Sequence, residues 1–297
     1  MYSKVEACGD ISEIQHPAVR EILKKYALST GLEIHYDGDL PARSGMGSSS
    51  AFSVGLINAV AAHSGVSKSS RELAEEAIDI EQNVLGECVG SQDQVNAAYG
   101  GLNHIRFNED GSIHVAKVDL SHDRKQQIKD NLMLFYTGIM RTADTVASSY
   151  SKNLESQADR LEKMHHLVTE AIHIITSNSA LNLLGELFHE SWMEKRALSG
   201  MVSNSRVDEI YASARAAGAL GGKLTGAGGG GMMVFFVPKS QQNAVRRALS
   251  QLLYIPFCLS ETGSEIIFRD QQARYDEAIS RPMELDNFVE AEELDTR

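Results

Sequence analysis

Six residues early in the chain have the types and order that bind phosphate. They are Gly45, Gly47, Ser48, Ser49 and Ser50, all small, with Met46 between the two glycines, and an apolar segment follows them directly. Glycine lets backbone N–H groups crowd around an anion, and a helix that begins here adds unpaired N–H groups and the positive end of its dipole. Serine hydroxyls can donate to phosphate or coordinate Mg²⁺. The loop therefore predicts a phosphate site; a serine–glycine linker before a helix is the alternative, because short glycine motifs are weak evidence alone.

A second glycine-rich loop covers residues 223–231 and leads straight into an apolar run at residues 232–237. Four consecutive glycines lose much conformational entropy when the chain folds. A plain linker would not normally feed directly into a buried strand. The pattern predicts that this backbone approaches a ligand or another loop closely, and a tolerated linker is the alternative.

Two carboxylates complete a candidate site for phosphoryl transfer. Glu81 falls late in a predicted helix, and Asp93 lies in a short segment after Gly90. A phosphoryl-transfer enzyme needs one carboxylate for Mg²⁺ and often a second that orients or deprotonates the attacking hydroxyl. Spacing alone leaves the alternative open that each is a solvated surface residue or a helix cap.

Hydrophobic periodicity predicts the elements that must position these residues. Helices are predicted over residues 16–29, 51–63, 70–85, 181–198, 206–216 and 241–253, and a long helical region over about 142–176. Strands are predicted over residues 32–36, 132–136 and 232–237, with a hairpin of 103–107 and 113–118 and an edge strand at 266–268. This mixture of packed helices and antiparallel strands indicates an α+β protein in two parts, with a boundary near residues 120–131.

Composition excludes several classes of function. The chain has 297 residues, and 28 Lys and Arg stand against 40 Asp and Glu for a net charge of -12. Non-specific nucleic-acid binding needs a basic surface and is not expected. Cys8, Cys88 and Cys258 form neither a CxxC pair nor a zinc spacing, which favours a reducing compartment. We expect a cytoplasmic protein without a membrane span, and the sequence does not indicate its oligomeric state.

The three motifs together resemble those of the GHMP small-molecule kinases. The stretch from Pro41 to Ser50 is similar to the central phosphate loop of that family, residues 90–94 to the segment with its catalytic Asp, and residues 223–231 to its C-terminal glycine motif. The resemblance extends over about residues 2–269. Further segments are similar to the family's heptose-phosphate kinases, at residues 15–20, 90–101, 136–141, 189–192 and 207–211.

The resemblance implies a two-domain α+β fold. Residues 1–125 would form an N-terminal domain related to ribosomal protein S5 domain 2, residues 126–270 a ferredoxin-like C-terminal domain, and residues 271–297 an acidic tail. The family's first motif, which carries an Arg or Lys in a small-residue turn, is not found. We therefore expect the first strands of the N-terminal sheet to be truncated.

The resemblance also implies a role for each site residue. Asp93 matches the catalytic Asp, Glu81 and Ser49 match the residues that bind Mg²⁺, and residues 45–50 match the loop around the ATP phosphates. The loop that shapes the substrate site corresponds to Thr225, Gly226, Ala227 and Gly228.

The implied reaction is ATP-dependent phosphorylation of the anomeric hydroxyl of a heptose 7-phosphate. A sugar phosphate needs a cation, and Arg141 can bind phosphate through two hydrogen bonds. Arg206 and Lys223 are rival candidates, and a surface salt bridge is the alternative for each. His189 and Trp192 would either line a sugar pocket or pack together at the edge of the core.

The same residues are compatible with two other functions. One is another GHMP sugar kinase, of the fucose or galactose type. The other is a catalytically inactive protein that binds a nucleotide or sugar, a hypothesis that rests on the absent first motif.

Overall fold

A computed structural model describes residues 5–29, 31–40, 44–140, 143–151 and 155–270. The chain divides into a compact unit, Met1–Glu265, and a C-terminal unit, Ile266–Arg297. Of the second unit, residues 266–270 are described, and they form neither helix nor strand. Pro41, Arg141 and the predicted acidic tail lie outside the described residues. No helix in the described ranges has both the length and the apolar character needed to cross a membrane.

The described ranges contain ten α-helices and six strands. The helices are α1 (Pro17–Lys25), α2 (Ser48–His63), α3 (Ser70–Ile78), α4 (Gln92–Tyr99), α5 (His122–Asp130), α6 (Ala143–Ser151), α7 (Ala158–Thr176), α8 (Asn182–Arg196), α9 (Ser205–Ala216) and α10 (Gln242–Ala248). The strands are β1 (Asn103–Phe107), β2 (Ile113–Lys117), β3 (Leu132–Tyr136), β4 (Gly221–Leu224), β5 (Met232–Phe236) and β6 (Leu253–Ile255).

Helices α1 to α4 enclose the apolar core of the first half of the chain, and the predicted hairpin β1–β2 packs against it. Helix α3 begins with a capping box, in which the Ser69 hydroxyl accepts from the Glu72 N–H and the Glu72 carboxylate accepts from the Ser69 N–H. The predicted helix over residues 70–85 becomes a π-helical segment at Asp79–Val84. This irregular turn, a feature frequent at functional sites, carries Glu81.

The second half of the chain is built on a four-stranded antiparallel sheet with the order β4-β5-β3-β6. Along the sequence, its elements follow the split βαββαβ pattern of ferredoxin-like folds, so the predicted architecture of this half is confirmed. Helices α8, α9 and α10 pack with the sheet through two apolar clusters, in which Trp192, Phe235 and Phe236 are fully buried. The predicted domain boundary at residue 125 stays a prediction.

Several predicted elements are wrong. Residues 32–36 and 266–268 are not strands, because no described residue pairs with their backbones, and a strand persists only where its N–H and C=O groups find partners. By contrast, the helical region predicted over about 142–176 does contain helices, namely α6 and α7. The helix predicted over 241–253 ends at Ala248, and β6 takes its last residue.

After β6, the chain returns to the first half of the molecule, which contains α1 to α4. A side chain on Gly100 would overlap the backbone of Thr262, and one on Gly263 would overlap the carbonyl oxygen of Ala98. The Asn58 amide of α2 donates to the carbonyl and hydroxyl oxygens of Ser264, at 3.3 and 3.0 Å. Residues 262–264 therefore form part of the packing of the first half of the chain.

Candidate functional site

The predicted phosphate loop leaves its backbone amides open. Gly45 and Gly47 have φ values of 78° and 67°, in the left-handed region that glycine adopts without strain. Gly47 is the N-cap of α2, and no side chain caps this end of the helix. The first N–H groups of a helix have no partner within it. The N–H groups of Ser48, Ser49 and Ser50, in the first turn, are therefore the donors that this loop can offer to an anion.

The second glycine loop packs directly on the phosphate loop. The Met232 N–H donates to the Ser44 carbonyl oxygen at 2.8 Å, and a side chain on Gly231 would overlap that same oxygen. A Cβ on Gly226 would lie 3.1 Å from the Gly45 Cα, and one on Gly45 would lie 3.1 Å from Thr225. The close approach to another loop is thus what the glycines permit here.

The same loop also packs against the rest of the second half. A Cβ on Gly228 would lie 2.8 Å from the Val202 carbonyl oxygen, and one on Gly230 would lie 2.6 Å from that of Ile139. Any larger residue would displace backbone rather than a flexible side chain. The loop is held from both sides by neighbouring main chain.

Asp93 faces the phosphate loop from the first turn of α4. A Cβ on Gly47 would lie 2.9 Å from the Asp93 Cγ, so the carboxyl group fills the space that this glycine leaves. Burial raises the pKa of Asp93, and the positive charge of Lys195 opposes that shift in part. A carboxylate with a raised pKa beside a phosphate-binding loop is suited to accept a proton from an alcohol.

Glu81 lies behind the loop and is almost fully buried, with 2% of its surface exposed. Its Oε2 accepts from the Ser50 hydroxyl at 3.0 Å and from the Gln94 amide at 2.5 Å. Its Oε1 is buried without a hydrogen-bond partner among the described residues. A buried carboxylate oxygen of this kind is costly unless a cation meets it, so Glu81 fits a Mg²⁺ ligand.

The structure pairs Glu81 with a different serine from the one predicted. Ser50, buried in the first turn of α2, contacts the carboxylate, whereas Ser49 is exposed. On a helix, adjacent residues point about 100° apart, so only one of the two can face Glu81. Ser49 instead faces outward from the helix start, and its role in binding Mg²⁺ stays a prediction.

Lys195 is a residue of the site that no sequence motif predicts. It lies in the last turn of α8, and its Nζ donates to the carbonyl oxygen of Gly226. Desolvation, together with the like charge of Lys223, lowers the pKa of Lys195 to about 7, although the nearby Asp93 favours the charged form. Nothing in the local sequence distinguishes it from the other basic residues of helix ends.

The other predicted residues divide between the site and the packing around it. The structure brings Asp93, the loop of residues 45–50 and residues 225–228 together, and Glu81 joins them through Ser50. Trp192 is fully buried in the core, and the His189 ring is 2.6 Å from the Tyr211 hydroxyl. Both side chains therefore pack with other residues of the protein, as the second of the two predicted alternatives states. Arg206 is exposed and pairs with Glu209 at 3.4 Å.

Sequence and structure comparisons give a consistent set of relatives. Residues 13–101 match the GHMP kinases N terminal domain, and residues 170–255 match GHMP kinases C terminal. A D-glycero-alpha-D-manno-heptose 7-phosphate kinase of Campylobacter jejuni is 30% identical over 82% of this chain and 71% of its own. A mevalonate kinase of Pyrococcus abyssi is 29% identical over 80% of this chain and 68% of its own. The crystal structure of a putative sugar kinase of Campylobacter jejuni, 28% identical, superposes with a TM-score of 0.66 over 87% of this chain and 76% of its own.

Proposed function

Since this chain belongs to the GHMP kinases, we propose that it transfers the γ-phosphoryl group of ATP to the anomeric hydroxyl of a heptose 7-phosphate. The observation that carries the proposal is the position of Asp93, whose carboxyl group fits against Gly47 of the phosphate loop. The similarity to the Campylobacter jejuni heptose 7-phosphate kinase supports this choice of acceptor.

The phosphate loop would hold the nucleotide. The N–H groups at the start of α2 donate to phosphate oxygens, and the helix dipole favours negative charge there. The second glycine loop fixes the Ser44–Gly45 backbone through the hydrogen bond from Met232. Because the amides are positioned before the nucleotide arrives, they need no rearrangement during transfer.

Asp93 would act on the acceptor. In its ionised form, the carboxylate accepts the proton of the anomeric hydroxyl, or holds that hydroxyl in line with the phosphoryl group. Burial raises its pKa and so brings its basicity closer to neutral pH. Since the ionised form is required, we expect kcat/KM to fall as the pH drops through the pKa of Asp93.

Glu81 is the residue best suited to bind Mg²⁺, together with a hydroxyl of Ser49 or Ser50. The bound ion would neutralise charge on the phosphate oxygens during transfer. Glu81 supplies its unpartnered Oε1, while Ser50 and Gln94 hold Oε2 and fix the orientation of the carboxylate. Mg²⁺ commonly takes only one or two protein ligands beside substrate phosphates, which matches this sparse set.

The phosphate group of the acceptor itself would also need a cation, and three residues are candidates. Arg141 was predicted for this role and lies outside the described residues. Arg206 is engaged on the surface with Glu209, whereas Lys223 is half-buried beside the site. The predicted role of Arg141 therefore stays a prediction.

The experiment is turnover of heptose 7-phosphate with Mg·ATP by the wild type and by Asp93→Ala and Asp93→Asn. We expect wild-type turnover, a loss of at least about 10³-fold in both variants, and unchanged ATP binding by calorimetry. Fucose, galactose and mevalonate serve as alternative acceptors. Turnover of one of these in place of the heptose would reject the proposed acceptor, and an active Asp93→Ala would reject the role of Asp93.

A further inference from the structure

Two lysines that were not part of the predicted catalytic set lie near each other at the site, and one of them, Lys195, is near Asp93. Lys195 comes from the last turn of α8, and Lys223 from β4, a strand that leads into the second glycine loop. Helix α8 packs on β4, and this packing places the Lys223 ammonium close enough for its charge to act on Lys195.

One hydrogen bond and one charge interaction relate Lys195 to the site. Its Nζ donates to the Gly226 carbonyl oxygen, in the loop that packs on Gly45. Its charge also acts on Asp93, which in turn lies against Gly47. Lys195 therefore lies at the junction of the phosphate loop, the second glycine loop and the proposed base.

The charge balance of this pair differs from that of three lysines elsewhere in the chain that have carboxylate partners. Lys68, Lys125 and Lys163 each contact a carboxylate at 2.6 to 2.9 Å. Neither Lys195 nor Lys223 forms an ion pair with a described residue, and burial lowers the pKa of both. Two desolvated like charges with one nearby carboxylate are unfavourable unless an anion joins them.

We propose that the Lys195 ammonium binds the phosphoryl group that passes from ATP to the acceptor oxygen held by Asp93. The inference rests on the proposed function and adds a catalytic residue to it. In the step, a P–O bond forms to the anomeric oxygen, the bond from the γ-phosphorus to the β,γ-bridging oxygen of ATP breaks, and the hydroxyl proton goes to Asp93. Lys195 keeps its protons and forms no covalent bond.

This position follows from the neighbours of Lys195. A phosphoryl group in transfer must lie between the loop that holds the nucleotide and the carboxylate that holds the acceptor hydroxyl. Lys195 contacts the second glycine loop where it packs on the first, and it also acts on that carboxylate. A cation there stabilises the equatorial oxygens on which charge is spread in the transition state.

The first test measures nucleotide binding and does not involve the acceptor. Calorimetry compares Mg·ADP with a Mg-bound, non-hydrolysable imido analogue of ATP, for the wild type and for Lys195→Met. We expect the variant to lose affinity for the triphosphate analogue by about tenfold or more and to bind ADP as the wild type does. Lys24→Met, on the surface of α1, is the matched control and should change neither affinity.

A purely structural role for Lys195 predicts a different result. If the lysine only holds the Gly226 loop, Lys195→Met weakens both nucleotides equally or lowers the unfolding temperature without a nucleotide preference. Binding of the acceptor's own phosphate predicts unchanged nucleotide affinities and a raised KM for the acceptor. Each of these outcomes overturns the proposal. The nucleotide affinities are measured without an acceptor, so they test Lys195 even if heptose 7-phosphate is not the substrate.

The second test is a pH profile of Lys195→Arg. Arginine keeps the positive charge, so the variant does not risk a folding defect caused by the loss of that charge. The groups that act on Lys195 are Asp93 from α4, Lys223 from β4 and the Gly226 carbonyl from the loop. Because the lysine must be protonated, wild-type kcat/KM should fall as the pH rises above about 7. An Arg guanidinium stays charged, so the variant should keep its activity at pH 9. An identical alkaline decline in both proteins would overturn the proposal.

Discussion

The two glycine-rich loops of this kinase use glycine for different purposes. In the first loop, Gly45 and Gly47 adopt left-handed conformations so that the chain can turn into α2 and leave its amides open. In the second loop, Gly228, Gly230 and Gly231 give room to the carbonyl oxygens of Val202, Ile139 and Ser44. One loop makes space for the Asp93 carboxyl group and leaves its amides open, and the other makes space for backbone.

The difference shows that glycine content alone does not identify a ligand site. The second loop has the longer run of glycines, yet its space is taken up mainly by protein. The first loop has fewer glycines, but one of them borders the Asp93 carboxyl group. Substitutions in the second loop should therefore damage folding first, and substitutions in the first loop should damage catalysis first.

The largest effect should come from Gly231→Ala. The new Cβ would overlap the Ser44 carbonyl oxygen, and the residue has a φ of 89° that alanine adopts only with strain. We expect the free energy of unfolding to fall by about 3–4 kcal/mol, measured by urea denaturation. A loss below about 1 kcal/mol would show that the second loop has spare room, and it would contradict the conclusion that its glycines are needed for packing.

The next effect concerns catalysis and should come from Gly47→Ala. The added methyl group would press on the Asp93 carboxyl at 2.9 Å, and a displacement of this kind moves the proposed base away from the acceptor. We expect kcat/KM to fall about 10²-fold, while the free energy of unfolding falls by only about 1–2 kcal/mol. Steady-state kinetics and urea denaturation on the same sample check both values. A variant that is destabilised but fully active would assign Gly47 to packing, like Gly231.

A smaller effect is expected from Glu81→Gln, which tests whether the region of the first loop binds a metal ion. The amide keeps the shape of the carboxylate but removes the charge that the unpartnered Oε1 would offer to the proposed Mg²⁺. We expect the Mg²⁺ concentration for half-maximal rate to rise at least about tenfold, with little change in folding. Ser50→Ala is the matched variant, because it removes the hydroxyl that contacts Oε2 at 3.0 Å. An unchanged Mg²⁺ requirement in Glu81→Gln would remove Glu81 from the metal site.

The smallest effect should come from Gly65→Ala, which isolates backbone strain from contact. Gly65 follows α2 with a φ of 80°, and nothing lies within 4 Å of an added Cβ. We expect a loss of about 1 kcal/mol in the free energy of unfolding and no change in kcat/KM. This value is the baseline to subtract from that of Gly231→Ala, and a similar loss at both positions would mean that contact with Ser44 costs nothing.

The sequence predicts elements well where their own apolar pattern is strong. Helices α1, α2, α8 and α9 and strands β3 and β5 lie close to their predicted positions, and the hairpin is correct. Strand β4 was missed because Gly221 and Gly222 have low strand propensity. These glycines are needed for packing, since a side chain on Gly221 would overlap the Gly185 carbonyl oxygen of α8. Such a requirement exists only in the folded protein.

The same distinction applies to the site. The phosphate loop, Glu81 and Asp93 were located from local motifs and from their resemblance to a family, and the structure brings them together. Lys195 has no motif of its own, and its position depends on α8 packing over β4 so that its last turn meets Gly226. The choice between Ser49 and Ser50 as the partner of Glu81 likewise depends on the phase of α2 relative to Asp79–Val84.

The return of residues 262–264 to the first half of the chain has a topological consequence. The polypeptide passes from one half to the other between β2 and β3, and it passes back after β6 to contact Gly100, Ala98 and Asn58. The polypeptide chain therefore connects the two halves covalently at two places. A gene split at residue 125 would not yield two autonomous modules, because the second fragment would keep the segment that covers the end of α4 in the first. Reassociation of the fragments, rather than independent folding, would be the route to an intact kinase.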